Sequence, residues 1–247
     1  MKKISALLAL MLSLCTLAAC SDNNDSSEEG NSASDSSSRI VKDDDDEDDE
    51  KSDDNEDEKS DDKDEEKSGS FTRGKVEDNV YSNKFSGLTF EIPDGWTILS
   101  DEEVSNAVGA GLDAGGSSVD SDTLLSTSTY DCMVSSMTTG ESFTFLFEDV
   151  SAYSGSMTID NYIDAAKLTT AYSMPGMEID WHVDGEKGTL CGMEYDVFSV
   201  EIGMESYGIS VNQEYYVTEK DGYMIVITYS SGLSSGTFDD YLDCFKD

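Results

Sequence analysis

The chain has 247 residues, with 54 acidic and 15 basic side chains and a formal net charge of −39 at pH 7. Residues 21–70 hold 23 acidic and 6 basic side chains, and residues 71–247 hold 31 and 7, so the acidity runs through the sequence. This charge excludes nucleic acid as an expected partner, because binding it needs a basic surface. It also disfavours anionic lipid and anionic wall polymers, and it favours cations and basic partners.

The N-terminus predicts a leader followed by a modified cysteine. Lys2 and Lys3 precede an apolar run, residues 4–14, that is too short for a permanent membrane span. With Leu17-Ala18-Ala19-Cys20, this segment resembles a bacterial lipoprotein signal peptide and its lipobox. The resemblance implies that residues 1–19 are removed, that Cys20 is acylated and that the protein is anchored outside the cytoplasm. The alternative is an ordinary secretory signal cut near Ala19, with Cys20 incidental.

Residues 20–70 predict a disordered acidic tether. Ser, Asp, Glu and Asn dominate, and no aromatic residue precedes Phe71, so there is little apolar surface to offset the entropy of ordering. Glu-Lys-Ser recurs every eight residues from residue 50, which indicates low complexity. Such a chain would reach roughly 40 Å. The acidic run of residues 43–50 lacks the glycine of an EF-hand loop, so it predicts only diffuse cation binding.

The remaining residues, 71–247, predict one folded domain rich in strands. Apolar and polar residues alternate in most of its segments, and Asp-Gly pairs at 184–185 and 221–222 favour tight hairpin turns between them. The expected strands are Val76–Tyr81, Leu88–Ile92, Tyr130–Met137, Ser142–Phe147, Glu178–Val183, Glu186–Leu190, Tyr195–Ile202, Ile209–Val217 and Tyr223–Tyr229.

Three helices are expected in the same domain. Ser100 and Glu103 form a capping box that opens the first helix, and the glycine-rich residues 109–116 are expected to end it. The apolar stripe of residues 157–172 predicts the second helix, closed by Pro175-Gly176. A third helix is expected over Phe238, Tyr241, Leu242 and Phe245.

Consecutive hairpins build antiparallel sheets, so the element order predicts an α+β domain with an antiparallel β-sheet covered by helices. The run from Lys84 to Trp96, which ends in Ile92-Pro93-Asp94-Gly95-Trp96, resembles the opening of PsbP/Mog1-like domains. The central hairpin, the long antiparallel ladder and the C-terminal helix are similar too. The resemblance covers residues 76–247 and implies a PsbP/Mog1-like fold. It implies no catalytic residues, because such domains serve as accessory and binding modules in unrelated settings.

Two sequence motifs mimic catalytic signatures. Gly232-Leu233-Ser234-Ser235-Gly236 matches the nucleophile elbow G-x-S-x-G, but the histidine of that fold follows the serine, whereas His182 precedes it. A turn before the last helix is the expected role. Residues 109–114 match the dinucleotide fingerprint G-x-G-x-x-A, but they follow a predicted helix and not a strand.

Cysteine and histidine offer little chemistry in the domain. His182 could activate Cys191, although a single histidine on an alternating strand is more often structural. Cys132, Cys191 and Cys244 allow one disulfide and one thiol, or three reduced thiols. Zinc would need more Cys and His at ligand spacing than the chain contains.

Two candidate binding sites remain. The first is an apolar groove, for which the candidates are Trp96, Trp181, Tyr153, Tyr162, Tyr172, Met174 and Met177. The second is a calcium site, for which the candidates are Asp120, Asp122, Glu148, Asp149 and Asp180. For each set the alternative is a structural role in the core or on the solvated surface.

The sequence therefore predicts a membrane-anchored extracytoplasmic lipoprotein with no catalytic site and no cofactor. Its first expected role is that of an accessory or adaptor module for another envelope protein, held to the membrane through acylated Cys20. The alternative role is binding of a small ligand or a divalent cation.

Overall fold

The computed structural model describes residues 71–114, 128–151, 157–173, 177–204, 209–232 and 234–246. The predicted leader, Cys20 and the predicted tether lie outside these residues.

The described chain contains ten strands and two α-helices. The strands are β1 Lys75–Glu77, β2 Val80–Asn83, β3 Leu88–Glu91, β4 Trp96–Ile98, β5 Ser128–Ser136, β6 Ser142–Asp149, β7 Glu178–Leu190, β8 Met193–Met204, β9 Ile209–Lys220 and β10 Tyr223–Ser230. The helices are α1 Asp101–Ala114 and α2 Ile159–Ser173, and a 3₁₀ helix spans Phe238–Cys244.

A seven-stranded antiparallel sheet lies at the centre of the domain, in the order β4-β5-β6-β10-β9-β8-β7. Strands β6 and β10 are buried along almost their whole length, which requires layers on both faces of the sheet. The predicted α+β class with an antiparallel sheet is confirmed.

The two α-helices cover one face of this sheet. In α1 the buried residues Val104, Ala107, Val108 and Leu112 recur at helical spacing and form one apolar stripe. They join buried α2 residues such as Tyr162 and sheet residues in a single hydrophobic cluster. This packing, more than helix propensity, holds the helices on the sheet.

The second face is covered by a three-stranded sheet, β1-β2-β3, together with the 3₁₀ helix. Aromatic rings fill this layer. The ring of Phe143 lies 4.9 Å from that of Phe90 on β3 and 5.2 Å from that of Phe238 on the 3₁₀ helix. Close aromatic pairs of this kind add about 0.5–1.5 kcal/mol each beyond the area that they bury.

The predicted strand Val76–Tyr81 is wrong, because the chain reverses within it. Asp78 and Asn79 have φ angles of 50° and 64°, and they join β1 to β2 in a two-residue turn. Asp and Asn tolerate this left-handed region better than most residues, which makes the tight turn possible. The short strand β4 was also not predicted.

The predicted hairpin at Asp184-Gly185 is wrong as well. β7 is one strand along β8, in which His182 pairs with Ser199 and Glu186 pairs with Val197. Between these two pairs β7 advances by four residues and β8 by only two, so β7 has two extra residues, which form a bulge. Gly185, with a φ of 74°, provides the left-handed conformation there. The Asp-Gly pair, which usually indicates a hairpin turn, here forms part of a bulge within one strand.

Two helix predictions need correction, although the N-terminus of α1 is confirmed. The Ser100 N–H donates to Glu103 Oε2 at 2.7 Å, and the Glu103 N–H donates to Ser100 Oγ at 3.3 Å. α1 ends at Ala114, within the predicted segment 109–116, but the G-x-G-x-x-A motif of residues 109–114 lies inside the helix and not after it. The expected C-terminal helix is a 3₁₀ helix, not an α-helix.

The buried carboxylate of Asp131 joins the two sheets. It lies at a bulge in β5, between Tyr130 and Cys132, and its side chain is fully buried. Asp131 Oδ2 accepts hydrogen bonds from the Tyr81 hydroxyl at 2.6 Å and from Asn83 Nδ2 at 2.8 Å. The Gly74 N–H also donates to it, and Arg73 Nε lies 3.6 Å from Oδ1.

We expect Asp131→Asn to lower the free energy of unfolding by about 3 kcal/mol, because the donors around it would lose their charged acceptor. Urea denaturation of the chain from residue 21 onward measures this change. Asp94→Asn, on an exposed turn, is the matched control and should stay close to wild type. Equal midpoints for the two variants would contradict the structural role of Asp131.

Candidate functional site

A groove of about 520 Å³ lies over strands β7, β8 and β9, beside the segment that leads to the 3₁₀ helix. Its floor contains a cross-strand row in which His182 pairs with Ser199 and Ser199 pairs with Glu214. This row lies on the same face of the sheet as the three-stranded sheet, opposite the α-helices.

One wall of the groove is the segment of residues 234–237, which a buried glutamate holds in place. Glu141 Oε1 accepts hydrogen bonds from the Ser234 hydroxyl and from the Tyr229 hydroxyl, both at 2.7 Å. The Gly236 N–H donates to Ser234 Oγ at 3.0 Å. Gly232 has a φ of 57° and lies so close to the backbone of Gly140 that a side chain would not fit. This wall is therefore tightly packed.

The other wall is the bulge of β7, which contributes the exposed carboxylates of Asp184 and Glu186. Glu214 adds a third carboxylate. Its pKa is raised, chiefly by burial and also by Asp239 and Asp240, although the Phe238 N–H donates to it at 3.0 Å. His182 is the one basic side chain among the described residues that line the groove. The rest of the lining combines the apolar Val197 and Phe198 with Gly236 and with hydroxyl and amide side chains, from Ser199, Ser234, Ser235, Thr237 and Asn212.

The arrangement of the groove suits a cationic or hydroxyl-rich group. Three carboxylates attract positive charge, and the hydroxyl and amide side chains supply hydrogen-bond partners. The groove mixes polar and apolar side chains at the surface, unlike the mostly apolar cavities that hold most small organic ligands.

The predicted G-x-S-x-G motif and His182 line this same groove, but the serine has a structural partner. A serine hydroxyl has one hydrogen, and Ser234 donates it to Glu141. Burial tends to raise the pKa of Glu141, but hydrogen bonds from Thr139, Ser234, Tyr229 and Tyr241 outweigh it and lower the pKa. A carboxylate with a lowered pKa is a weak base. These contacts agree with the expected turn before the last helix.

The hypothetical His182–Cys191 pair is wrong. His182 pairs with Ser199 and Leu190, next to Cys191, pairs with Met193, so six steps along β8 separate the two positions, which corresponds to roughly 20 Å. Cys191 Sγ instead lies 3.5 Å from the backbone of Thr89. No disulfide joins Cys132, Cys191 and Cys244. Burial raises the pKa of Cys132 to about 12, so this thiol stays protonated at neutral pH.

The predicted aromatic groove is also wrong for the described residues. Trp96 packs in the aromatic cluster on one face of the sheet, whereas Tyr162, Trp181 and Met177 pack with the helices on the other. Tyr153, Met174 and the side chain of Tyr172 lie outside the described part of the structure. The aromatic side chains that are described serve as core and sheet cover.

The predicted calcium ligands do not come together. Asp120 and Asp122 lie outside the described residues. Glu148 is buried and Asp149 is exposed on β6, while Asp180 lies on β7, about 19 Å away across four strand spacings. Within the described residues, no group of three His, Cys, Asp or Glu side chains is placed to hold a metal ion.

Glu148 instead connects α2 to the sheet. It is fully buried, and its carboxyl accepts hydrogen bonds from the Tyr162 hydroxyl of α2 and from Ser128 Oγ at 3.2 Å. Burial raises the pKa of Glu148 to about 8 and outweighs these two hydrogen bonds, which act to lower it. Glu148 is therefore largely protonated at neutral pH.

Sequence reasoning missed most of the groove. Asp184 and Glu186 were assigned to a turn and to the start of a new strand, and Ser199, Asn212 and Glu214 appeared only as polar positions of alternating strands. The alternation places Glu214 on one face of β9, but no sequence signal shows that residues 234–237 form a wall beside it.

The fold and the groove define this protein as an antiparallel α+β domain with a polar, acidic surface groove. The sequence matches no protein-family model, and no curated protein matches it. Among solved structures, it is similar to the crystal structure of LpqN, involved in cell envelope biogenesis of Mycobacterium tuberculosis. The sequence identity is 12% and the TM-score is 0.33, over 64% of this chain and 76% of that chain. A likeness at this TM-score defines neither fold nor function.

No helix in the described part of the chain combines the length and the apolar character that crossing a membrane requires.

We expect the free energy of unfolding of the wild type to fall, relative to that of Glu148→Gln, as pH rises from 4.5 to about 8. The lower value is the usual pKa of a glutamate, and the upper value is the pKa of buried Glu148. Between these values the folded protein binds a proton at Glu148 that the unfolded chain has released, so rising pH favours unfolding. The slope is at most about 1.4 kcal/mol per pH unit.

Urea unfolding at pH 5, 6, 7 and 8 measures this difference. Asp149→Asn, at the exposed neighbour of Glu148, is the control and should keep the wild-type slope. Stability curves for wild type and Glu148→Gln that run parallel over this range would contradict a protonated, buried Glu148.

Proposed function

We propose that this protein is a lipid-anchored extracytoplasmic lipoprotein whose domain acts as a non-catalytic accessory module for another envelope protein. The observation that carries the anchor is Leu17-Ala18-Ala19-Cys20, placed directly after a short apolar segment behind two lysines. Acylated Cys20 would hold the mature chain on the membrane, since two or more acyl chains give stable anchoring. Residues 21–70 would separate the domain from the membrane surface.

The non-catalytic role is supported by the contacts of the two candidate nucleophiles. Ser234 donates its hydrogen to Glu141, which is a weak base, and Cys191 lies far along β7 from His182. The proposal includes a PsbP/Mog1-like relationship for the domain, which rests on the run from Lys84 to Trp96. Accessory and binding roles are common among domains of that kind.

A second candidate function is binding of a small cationic ligand or a divalent cation. The groove of about 520 Å³ with Asp184, Glu186 and Glu214 in its lining favours it. Positive charge would be attracted there by all three carboxylates.

The anchor is tested by substituting its cysteine. In cells fed an alkyne-labelled palmitate, the wild type should incorporate the label and stay with membranes, whereas Cys20→Ala should lose both. Cys15→Ala, within the leader, is the matched control and should behave as wild type. Membrane retention of unlabelled Cys20→Ala would contradict the anchor.

The accessory role is tested by crosslinking in intact cells that express the acylated protein. We expect one envelope protein to be recovered reproducibly and at a fixed ratio. Recovery of only abundant surface proteins, in proportion to their abundance, would contradict this role.

The ligand-binding alternative is tested by thermal shift with calcium, manganese, amino acids, peptides and sugars. Binding at 100 times Kd stabilises the native state by about 2.7 kcal/mol, which raises Tm by a few degrees for a domain of this size. Asp184→Asn with Glu186→Asn should abolish that shift if the groove is the site. A shift unchanged by both substitutions would place the ligand elsewhere.

A further inference from the structure

We propose that the outer edge of β7 docks an extended segment of a partner protein, with alternating basic and apolar residues, by β-strand addition. The inference rests on the proposed accessory role and identifies the surface and the kind of partner. It is carried by an unpaired sheet edge, by the alternation of side chains along that edge and by the adjoining acidic groove.

The edge itself is the first observation. β7 is 13 residues long and pairs with β8 on one side. No strand of the described residues pairs with its other side, so a row of backbone N–H and C=O groups faces outward. The opposite edge of the sheet is β4, which has only three residues. β7 is thus the one long edge that the described sheet presents to a partner.

The bulge divides this edge into two regular stretches. Residues 178–182 pair with β8 without interruption, and the register changes between His182 and Glu186. A bulge is a common device that limits uncontrolled edge-to-edge pairing. It leaves a five-residue stretch, Glu178–His182, that a short strand can extend in register.

The side chains of this stretch alternate between two environments. Ile179 and Trp181 pack against the hydrophobic cluster on the helix face and remain partly exposed. Glu178, Asp180 and His182 are exposed on the other face, and Glu201 on β8 lies beside Asp180. In an added strand, side chains opposite one another lie on the same face. The neighbours of Glu178 and Asp180 should therefore be basic, and those of Ile179 and Trp181 apolar.

The acidic groove continues this pattern. It begins where the regular stretch ends, at His182, and Asp184 and Glu186 form its nearer wall. A basic side chain that follows the added strand would enter a region with three carboxylates. Charge complementarity therefore selects a basic segment over an acidic one.

A second copy of this chain fits the edge poorly. Antiparallel pairing of two β7 strands would bring Glu178 and Asp180 close to the same acids of the other copy. Like charges directly opposite each other destabilise a strand pair. The excess of 31 acidic over 7 basic residues in 71–247 adds repulsion between copies.

Synthetic peptides test this proposal with the chain from residue 21 onward. The probe is Lys-Val-Lys-Val-Lys-Val-Lys with blocked ends. The first control peptide has the same sequence with every internal amide N-methylated, so it keeps the charge and loses the backbone donors. The second has Glu in place of Lys. Binding is measured by calorimetry at low salt, and the site by hydrogen–deuterium exchange.

We expect the Lys-Val peptide to bind and to protect amides of residues 178–182 from exchange. The N-methylated and Glu-Val peptides should bind at least about tenfold more weakly. Glu178→Lys with Asp180→Lys should raise the Kd of the Lys-Val peptide about tenfold. Asp113→Lys with Asp164→Lys, at exposed sites on the two α-helices, changes the net charge equally and should have little effect.

Equal binding of the N-methylated peptide, or an equal loss of affinity in both double variants, would overturn strand addition in favour of diffuse charge attraction. Absence of binding by the Lys-Val peptide would overturn the site. If crosslinking still recovers one envelope protein in that case, the accessory role stands and its surface lies elsewhere. The acylation test does not depend on either result.

Discussion

The arrangement of the domain depends on the buried carboxylate of Asp131. The bulge in β5 turns this side chain toward the three-stranded sheet, where the Tyr81 hydroxyl, Asn83 Nδ2 and the Gly74 N–H converge on it. A buried charge is costly unless it is paired and hydrogen-bonded. These donors can satisfy Asp131 only when β2 and the segment before β1 lie in one position, so the carboxylate sets the place of the small sheet over the aromatic face.

That placement also determines where the surface is left open. The three-stranded sheet and the 3₁₀ helix cover the aromatic rings around Phe143, and the α-helices cover the other face. On the aromatic face, strands β7 to β9 extend past the three-stranded sheet and the 3₁₀ helix. There they present the row His182, Ser199 and Glu214 instead of aromatic residues. The groove is thus a consequence of a small second sheet on a larger first one, and polar residues occupy the part that stays in contact with water.

Local patterns predicted much of this fold. Alternation located most of the strands, and the Ser100–Glu103 pair located the start of α1, because both signals depend on contacts close in sequence. Asp184-Gly185 failed because the same backbone conformation serves a hairpin turn or a bulge, and the choice depends on whether β8 can pair with both flanking stretches. The groove and the role of Asp131 could not be predicted, since each needs partners that lie distant in sequence, such as Glu141 with Ser234 and Tyr81 with Asp131.

The carboxylates of the domain fall into two groups with different physics. Asp131, Glu141 and Glu148 are buried, and each has several hydrogen-bond donors or is kept protonated, so each is used within the fold. Glu178, Asp180, Asp184 and Glu186 are exposed along one edge strand. Its basic side chains are His182, which lies 3.9 Å from Asp180, and Lys187, which already pairs with Asp196 at 2.7 Å. Their mutual repulsion is relieved by screening salt or by a basic partner. An edge strand that repels a second copy of itself and attracts basic chains can remain unpaired without uncontrolled self-association, which is what the proposed accessory role requires.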